Sequence, residues 1–213
     1  ICKAIDSIKT LILIDGNRIA EYTDLPSVQM LDWSAIVNSK TSKNIFFKKV
    51  PFNHLMWILY SSGTTGLPKA ITHSHGGMLL EHLKYTHFHN DIKSGERYFW
   101  YTSTGWMMWN FLHATWLAGS TIILYNGHPM YPSKSILWEI ATKFDISHFG
   151  TSAPYIHTCM KEGIPIPVLP HLRSISSTGS LLNSDAYDWL YHHFSKEVFL
   201  WSMSGGTDMC TAF

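Results

Sequence analysis

The sequence predicts an α/β fold with a largely parallel sheet flanked by helices. Short apolar runs recur along the chain, and amphipathic segments with helical spacing lie between them. Alternation of buried strands with helices is typical of parallel sheets that are covered on both faces. The 213 residues, 46% hydrophobic and 15% charged, fit one globular domain or a large part of a longer protein.

Six short runs are predicted to be buried strands, because they are brief, rich in apolar residues and separated by polar segments. They are Leu11–Ile14, Trp57–Tyr60, Tyr98–Tyr101, Thr121–Leu124, Arg173–Ser176 and Val198–Leu200.

Three segments between these strands carry apolar residues at helical spacing. Their apolar faces are Leu79, Leu80 and Leu83; Ile136, Leu137, Ile140, Ala141 and Phe144; and Ala186, Trp189, Leu190 and Phe194. Asn183 or Ser184 is the expected N-cap of the third helix. A short helix is expected near Trp33–Val37, and the prolines of segment 164–170 predict an extended connection.

Composition narrows the class of protein. The net charge of +1 gives no indication of binding to nucleic acid or to an anionic membrane. No window approaches the ~20 consecutive apolar residues of a membrane-spanning helix. Cys2, Cys159 and Cys210 have no paired short spacing, which argues against a disulfide framework and predicts a reducing, cytosolic location. Cys210 is expected to be a small packing residue, with a nucleophilic role as the alternative.

Thirteen histidines raise the question of a metal site. His73-x-His75 and His87-x-His89 would place both rings on one side of a strand, but no carboxylate or cysteine completes a zinc pattern. Structural or surface histidines are therefore favoured. The best exception is His73 or His75, as a support of the loop that precedes them.

That loop is the most informative stretch of the chain. The run Tyr60–Lys69 holds two serines, two threonines, two glycines and a lysine. Glycines allow close approach of the backbone to a ligand, and hydroxyls, free N–H groups and a lysine suit a polyphosphate. The run lacks the spacing of a Walker A loop. The alternative is a polar hairpin turn with a lysine by chance.

Ligands of parallel α/β sheets bind beyond the carboxyl ends of the strands. Four polar segments follow predicted strands: the loop after Tyr60, the segment after Tyr101, Gly179-Ser180, and the segment after Leu200. We therefore expect the four segments to form one site at one edge of the sheet.

With these motifs the chain resembles the adenylate-forming acyl-CoA synthetases, and within them the acetoacetyl-CoA synthetase branch. The motifs are Val50-Pro-Phe52 with Trp57-Ile-Leu-Tyr60, His73-Ser-His-Gly-Gly77, Gly105-Trp-Met-Met-Trp-Asn110, Gly150-Thr-Ser-Ala153 and Ser204-Gly-Gly-Thr-Asp208. The resemblance implies part of the large N-terminal domain of such an enzyme, without its C-terminal lid. It divides the chain into an N-terminal segment and connection, 1–54, and an incomplete AMP-binding core, 55–213.

The resemblance implies ATP, Mg²⁺ and coenzyme A as reactants or cofactors, and acetoacetate as the acid. Lys69, Thr207 and Asp208 would be catalytic, with Asp208 as the Mg²⁺ ligand where the superfamily usually has glutamate. The nucleotide-binding residues implied are Ser61, Ser62, Gly63, Thr64, Thr65, Gly66, Gly179, Ser180, Leu181, Ser204, Gly205 and Gly206.

The acyl pocket implied by the resemblance is lined by Gly105, Trp106 and Gly205. Acetyl-CoA synthetases carry a tryptophan at the position of Gly205, so its loss predicts room for an acid longer than acetate. Trp109 is either a second wall of this pocket or, with Trp106 at i and i+3, part of a packed helix face.

Two further interpretations remain open: another short- or medium-chain acyl-CoA synthetase, or a non-catalytic nucleotide-binding protein. The chain starts at Ile1 and stops at Phe213, directly after a site motif, so we expect it to be part of a longer protein. Family residues that would follow Phe213, above all the lid lysine, are then missing, and we expect this chain alone to be nearly inactive.

Overall fold

The structure is a computed structural model that describes residues 4–14, 27–39, 44–61, 66–194 and 196–213. The chain divides into two compact units, Ile1–Lys49 and Val50–Phe213. The division predicted from the resemblance, into 1–54 and 55–213, has a different boundary and stays a prediction.

The first unit contains two parallel strands, β1 (Thr10–Leu13) and β2 (Gln29–Asp32), followed by helix α1 (Trp33–Asn38). Asp32 caps the helix, because its carboxylate accepts a hydrogen bond of 2.9 Å from the Ala35 N–H. The predicted short helix is confirmed, and the predicted strand at Leu11–Ile14 is present as β1, but its prediction as a buried strand is wrong, because none of its residues is buried.

The second unit begins with an antiparallel hairpin, β3 (Leu55–Ser61) and β4 (Lys69–Ser74). Helix α2 (His75–Lys84) follows directly, with the Ser74 hydroxyl accepting from the Gly77 N–H as its cap. One π-helical turn, Tyr85–His89, extends α2 toward the next strand. The predicted strand at Trp57–Tyr60 is present, but it pairs only with β4 among the described residues and lies outside the parallel sheet.

The centre of this unit is a five-stranded parallel sheet with the order β6-β5-β7-β8-β9. Its strands are β5 (Arg97–Trp100), β6 (Thr121–Ile123), β7 (His148–Ser152), β8 (Ser174–Thr178) and β9 (Phe199–Ser202). The connections contain α3 (Met107–Ala114), a 3₁₀ turn (Thr115–Ala118), α4 (Ile136–Lys143), α5 (Ala153–Lys161) and α6 (Ser184–His193). A last short hairpin joins β10 (Gly205–Gly206) to β11 (Thr211–Ala212).

Helices cover both faces of the sheet. Along β5 the side chains alternate: Phe99 packs into a cluster with α4, α5 and α6, whereas Tyr98 and Trp100 pack into a second cluster with α2 and α3. Trp138 stacks on Phe149 in the first cluster, with ring centroids 4.3 Å apart. This arrangement confirms the predicted α/β class, because a parallel sheet needs an apolar layer on each face.

The predicted apolar faces of α4 and α6 are largely correct, and Asn183 caps α6 through its side chain. The predicted face of α2 is wrong, because Leu79 and Leu80 are exposed and the buried residues are Gly76, Met78 and His82. Gly76 lies against Phe52, where an added Cβ would be 2.1 Å from Cδ2 of the ring. Gly76 is on the same side of α2 as the leucines and is covered by Phe52, whereas Met78 and His82 on the opposite side are buried in the core.

A charged network fixes the amino edge of the parallel sheet. The Glu96 carboxylate accepts hydrogen bonds from His148 Nε2 at 2.8 Å and from Arg173 at 2.6 Å, joining the starts of β5, β7 and β8. Burial would raise the pKa of Glu96, but these donors and the Lys93 N–H outweigh it and lower the pKa. The network sets the relative positions of three strands, and the opposite ends of two of them, β5 and β8, lead into polar segments.

Candidate functional site

Three of the four predicted segments meet at the carboxyl edge of the parallel sheet. Gly105 and Trp106 follow β5, Gly179–Leu181 follow β8, and Ser204–Asp208 follow β9. The Thr178 hydroxyl donates a 2.9 Å hydrogen bond to the Met203 carbonyl, which holds the second and third segments together. The predicted convergence is correct for these three.

The fourth segment, the loop after Tyr60, has a different origin from the one expected. It connects the antiparallel strands β3 and β4, so it is a hairpin loop and not a loop at the edge of the parallel sheet. Ser62, Gly63, Thr64 and Thr65 lie outside the described residues. Lys69 is exposed at the start of β4, opposite Ser61, and Gly66, three residues earlier in the chain, is also exposed.

Two adjoining cavities lie between the converging segments. The larger, about 350 Å³, is lined by residues 178–181 and 202–205. The smaller, about 100 Å³, shares Thr178, Gly179 and Gly205 with it and adds Trp106 and Thr207. The structure therefore brings the predicted adenine-side, acyl-side and Thr207 positions to one place.

Gly179 and Trp106 face each other across the smaller cavity. Gly179 has a φ of +90°, a conformation that favours glycine. A Cβ added there would lie 4.0 Å from Cζ2 of the Trp106 indole. Trp106 is half-buried and precedes the first residue of α3 with an extended backbone, which places its ring outside the helix and against the cavity.

Trp109 does not share this position. It lies within α3, its ring contacts His113 edge-on with centroids 4.5 Å apart, and it lines neither of the two cavities. Of the two alternatives for Trp109, the structure supports packing on the helix. Gly105 is exposed in the turn before Trp106 and has no heavy atom within 4 Å of an added Cβ.

The packing of the β10–β11 hairpin explains why residue 205 is a glycine. Gly205 pairs with Ala212 in the β10–β11 hairpin, and an added Cβ would lie 2.0 Å from the Thr211 carbonyl oxygen and 2.6 Å from the Ala212 Cα. The direction in which a side chain would leave the backbone thus points at β11. That the missing indole opens an acyl pocket stays a prediction, and the hairpin already requires glycine here.

Thr207 and Asp208 lie in the turn between β10 and β11. Thr207 is half-buried, whereas Asp208 is exposed and has no hydrogen bond or ion pair with the described part of the chain. Its carboxylate is therefore available to a ligand. In the same part of the chain, no group of three or more histidine, cysteine or acidic residues is arranged to hold a metal ion by itself.

Side chains from β4 and α2 form hydrogen bonds with this turn and with the start of β11. His73 Nε2 is 2.9 Å from the Thr207 carbonyl oxygen, and His82 Nε2 is 3.2 Å from the Cys210 carbonyl oxygen. Glu81 accepts a hydrogen bond of 2.5 Å from the Thr211 hydroxyl. Burial lowers the pKa of His82, in spite of its bond to Cys210 and the nearby Glu81, so the ring is held in its neutral form.

Sequence reasoning did not identify Glu81 and His82, although a signal was available. Met78 and His82 lie at i and i+4 on the inward face of α2, and only the bulk of the leucines on the other face made that face more prominent. His73, predicted to support the loop, instead contacts Thr207. His75 is exposed and stacks on His54 with centroids 5.8 Å apart.

Cys210 is a packing residue. It is fully buried in the cluster with Met108 and Met203, and burial raises the pKa of its thiol to about 12. A buried thiol of that pKa holds almost no thiolate at neutral pH, which favours packing over the nucleophilic alternative. Its φ of +55° places it at the bend that leads into β11.

A polar, glycine-rich site at the carboxyl edge of a helix-covered parallel sheet is typical of nucleotide-binding α/β proteins. The chain belongs to the AMP-binding enzyme family, whose sequence profile matches residues 2–213.

Individual proteins that are similar to this chain indicate which branch of the family it resembles. The chain is 35% identical over its whole length to acetoacetyl-CoA synthetase of Gallus gallus, and covers 33% of that protein. It is 43% identical over 79% of its length to acetoacetyl-coenzyme A synthetase of Rhizobium meliloti (strain 1021), covering 26%. The structure of acetoacetyl-CoA synthetase from Streptomyces lividans matches 97% of the chain with a TM-score of 0.82 and 42% identity, over 31% of its own length. The chain thus spans between a quarter and a third of the length of these relatives.

No helix in the described ranges combines the length and the apolar character needed to cross a membrane.

Proposed function

We propose that this chain is the nucleotide-binding part of an ATP-dependent acid–thiol ligase that activates acetoacetate and transfers it to coenzyme A. The observation that carries the proposal is the meeting of Trp106, Gly179, Gly205 and Thr207 around adjoining cavities at one sheet edge. Family membership and the names of the similar proteins support the same reaction.

The reaction has two steps. An oxygen of the acid's carboxylate attacks the α-phosphorus of ATP, the bond to the β-phosphate oxygen breaks, and pyrophosphate leaves. The sulfur of coenzyme A, having lost its proton, then attacks the acyl carbon, and AMP leaves with the electrons of the broken C–O bond. Both steps depend mainly on positioning and on stabilisation of charge.

The larger cavity suits the nucleoside. Gly179 lets the backbone approach a flat ring, and the exposed Leu181 offers an apolar surface to one face of adenine. The Thr207 hydroxyl, in the smaller cavity, would donate to the α-phosphate. Lys69 and the hydroxyls of Ser61–Thr65 would hold the β- and γ-phosphates.

The Asp208 carboxylate fits a Mg²⁺ ligand. Mg²⁺ in such sites is usually held by one or two carboxylates together with substrate phosphates, and Asp208 is exposed, unpaired within the described ranges and one residue from Thr207. When bound, the ion would neutralise charge on the phosphates. Asp208 would orient it, and Thr207 would orient the phosphate beside it.

The proposal that acetoacetate is the acid is supported by the names of the similar proteins and by the residues on the acyl side of the site. Trp106 and Gly205, which border the smaller cavity, would line its pocket with the Trp106 indole as a flat apolar wall, and Gly105, which borders neither cavity, would contribute from the turn before Trp106. Discrimination by shape alone is limited to about 1–3 kcal/mol per methylene, so another short- or medium-chain acid is the competing candidate. A cytosolic location stays a prediction.

Acid-dependent exchange of labelled pyrophosphate into ATP tests the first step directly, and it is measured on the full-length protein because this chain alone is expected to be nearly inactive. Acetoacetate should support faster exchange than acetate or butyrate, and coenzyme A should then yield acetoacetyl-CoA. A clear preference for butyrate would indicate that the substrate is a saturated acid and not acetoacetate, while the reaction class would stay the same.

Lys69→Ala, made in the full-length protein, tests the phosphate loop. Because a hydrogen bond to a charged group contributes ~1.5–3 kcal/mol, the dissociation constant for MgATP should rise about 10- to 150-fold. Lys134→Ala, which removes an exposed lysine paired with Glu162, is the control and should leave it unchanged. Unaltered affinity in Lys69→Ala contradicts the assignment. Lys69-dependent binding without any exchange would favour the non-catalytic nucleotide-binding alternative.

A further inference from the structure

The imidazole of His73 connects the strand that begins with Lys69 to the turn that carries Asp208. The ring is 7% exposed, and its Nε2 lies 2.9 Å from the Thr207 carbonyl oxygen, 134 residues away in sequence. Because a carbonyl oxygen can only accept, Nε2 must carry the hydrogen and donate it.

The bonded carbonyl belongs to the peptide unit that joins Thr207 to Asp208. A peptide unit is planar, so fixing its carbonyl also fixes the direction in which the chain enters Asp208. Asp208 has no hydrogen bond or ion pair with any residue that the structure describes. The bond from His73 is therefore the nearest side-chain restraint on the position of its carboxylate.

His73 also shares a face with Lys69. Side chains alternate along a strand, so Lys69, Ile71 and His73 lie on one side of β4, and His73 is about 13 Å from Lys69 along the strand. One short strand thus carries Lys69, the lysine proposed to bind phosphate, at its first residue, and at its fifth residue a ring that holds the Thr207–Asp208 peptide.

We propose that His73 is a positioning residue that sets the Asp208 carboxylate relative to Lys69 for binding of a magnesium-complexed nucleotide. This inference rests on the proposed function. His82 and Glu81 hold Cys210 and Thr211 independently, so the turn remains attached when the His73 bond is lost. The loss should then act on the metal-dependent part of nucleotide binding more than on folding.

Two variants separate this role from simple packing. His73→Ala removes the donor, and His73→Gln supplies an amide N–H that can replace it. His148→Ala is the matched control, because it also removes a buried imidazole with a hydrogen bond, but at the amino edge of the sheet. Affinity for ATP is measured by calorimetry with excess Mg²⁺ and again with excess EDTA.

His73→Ala should bind MgATP about tenfold more weakly than the wild type, a change within the range of one hydrogen bond with its partner left unsatisfied. Its affinity for ATP in EDTA should change less than about twofold, and His73→Gln should recover MgATP affinity to within about twofold, since the bond is restored. His148→Ala should lower the melting temperature without changing the ratio of the two affinities.

Hydrogen exchange gives a second measurement that needs no nucleotide. Amides of residues 204–209 should exchange faster in His73→Ala than in the wild type, while those of β8 stay unchanged. Three results for His73→Ala would overturn this inference and leave the proposed function intact. They are an equal loss of ATP affinity with and without Mg²⁺, no loss of affinity at all, and unchanged hydrogen exchange at residues 204–209. A wild-type protein that does not bind MgATP would overturn the proposed function and this inference with it.

Discussion

Replacing Gly205 by alanine should destabilise the protein and weaken nucleotide binding at once. The added Cβ would lie 2.0 Å from the Thr211 carbonyl oxygen, 2.8 Å from its carbon and 2.6 Å from the Ala212 Cα. All three are backbone atoms of β11, which no side-chain rotation can move away. The strand must shift by about 1 Å or the pairing of Gly205 with Ala212 must break.

The magnitude follows from overpacking, which costs ~1–3 kcal/mol when a methyl group is forced into a packed site. The free energy of unfolding of Gly205→Ala, measured by urea denaturation, should fall by that amount. MgATP should also bind more weakly, because Thr207 and Asp208 lie between the two strands that are pushed apart.

Gly105→Ala is the control, since no heavy atom lies within 4 Å of its added Cβ and its φ is not positive. It should leave stability within about 0.5 kcal/mol, as surface substitutions away from special features usually do. If Gly205→Ala were as stable as the wild type and only its acid preference changed, Gly205 would act through the acyl pocket and the hairpin argument would be refuted.

Two more predictions concern buried side chains near the site. Cys210, whose pKa burial raises to about 12, should resist alkylation by iodoacetamide at pH 8 in the native protein and react in denaturant; modification of its peptide in the folded protein would contradict its burial. His82 has a pKa lowered by burial, so the unfolded chain takes up a proton more readily, and stability should fall as the pH drops from about 6.5 through the folded pKa. Replacing His82 by glutamine should make the urea midpoint less dependent on pH over this range, and an unchanged slope would show that the ring is not desolvated.

Much of the secondary structure was predictable because its signals are local. The strand at Tyr98–Tyr101 and the helix after Asn183 depend on apolar spacing and on a capping side chain within a few residues. The polar segments after β5, β8 and β9 were also predictable as one site, because parallel strands end at the same edge.

Two strands differ from the prediction for physical reasons. Strand β7 lies at the centre of the sheet but reads His148-Phe-Gly-Thr-Ser152, which has no apolar run, and Gly150 is present because Trp100 covers it. Strand β3 is apolar and was expected in the parallel sheet, yet it turns back on β4. Backbone hydrogen-bonding groups are the same in every strand, so local sequence does not choose the partner.

The chemical groups of the candidate site can be read from local sequence: the Lys69 loop, the Gly179 turn, the Thr207–Asp208 motif and the tryptophan before α3. Tertiary structure decided which of these groups meet and what holds them. His73 reaches Thr207 and His82 reaches Cys210 across more than 120 residues, and Gly205 is fixed by the backbone of β11. Such contacts arise only when helices cover both faces of the sheet, because packing of the whole domain brings distant segments together.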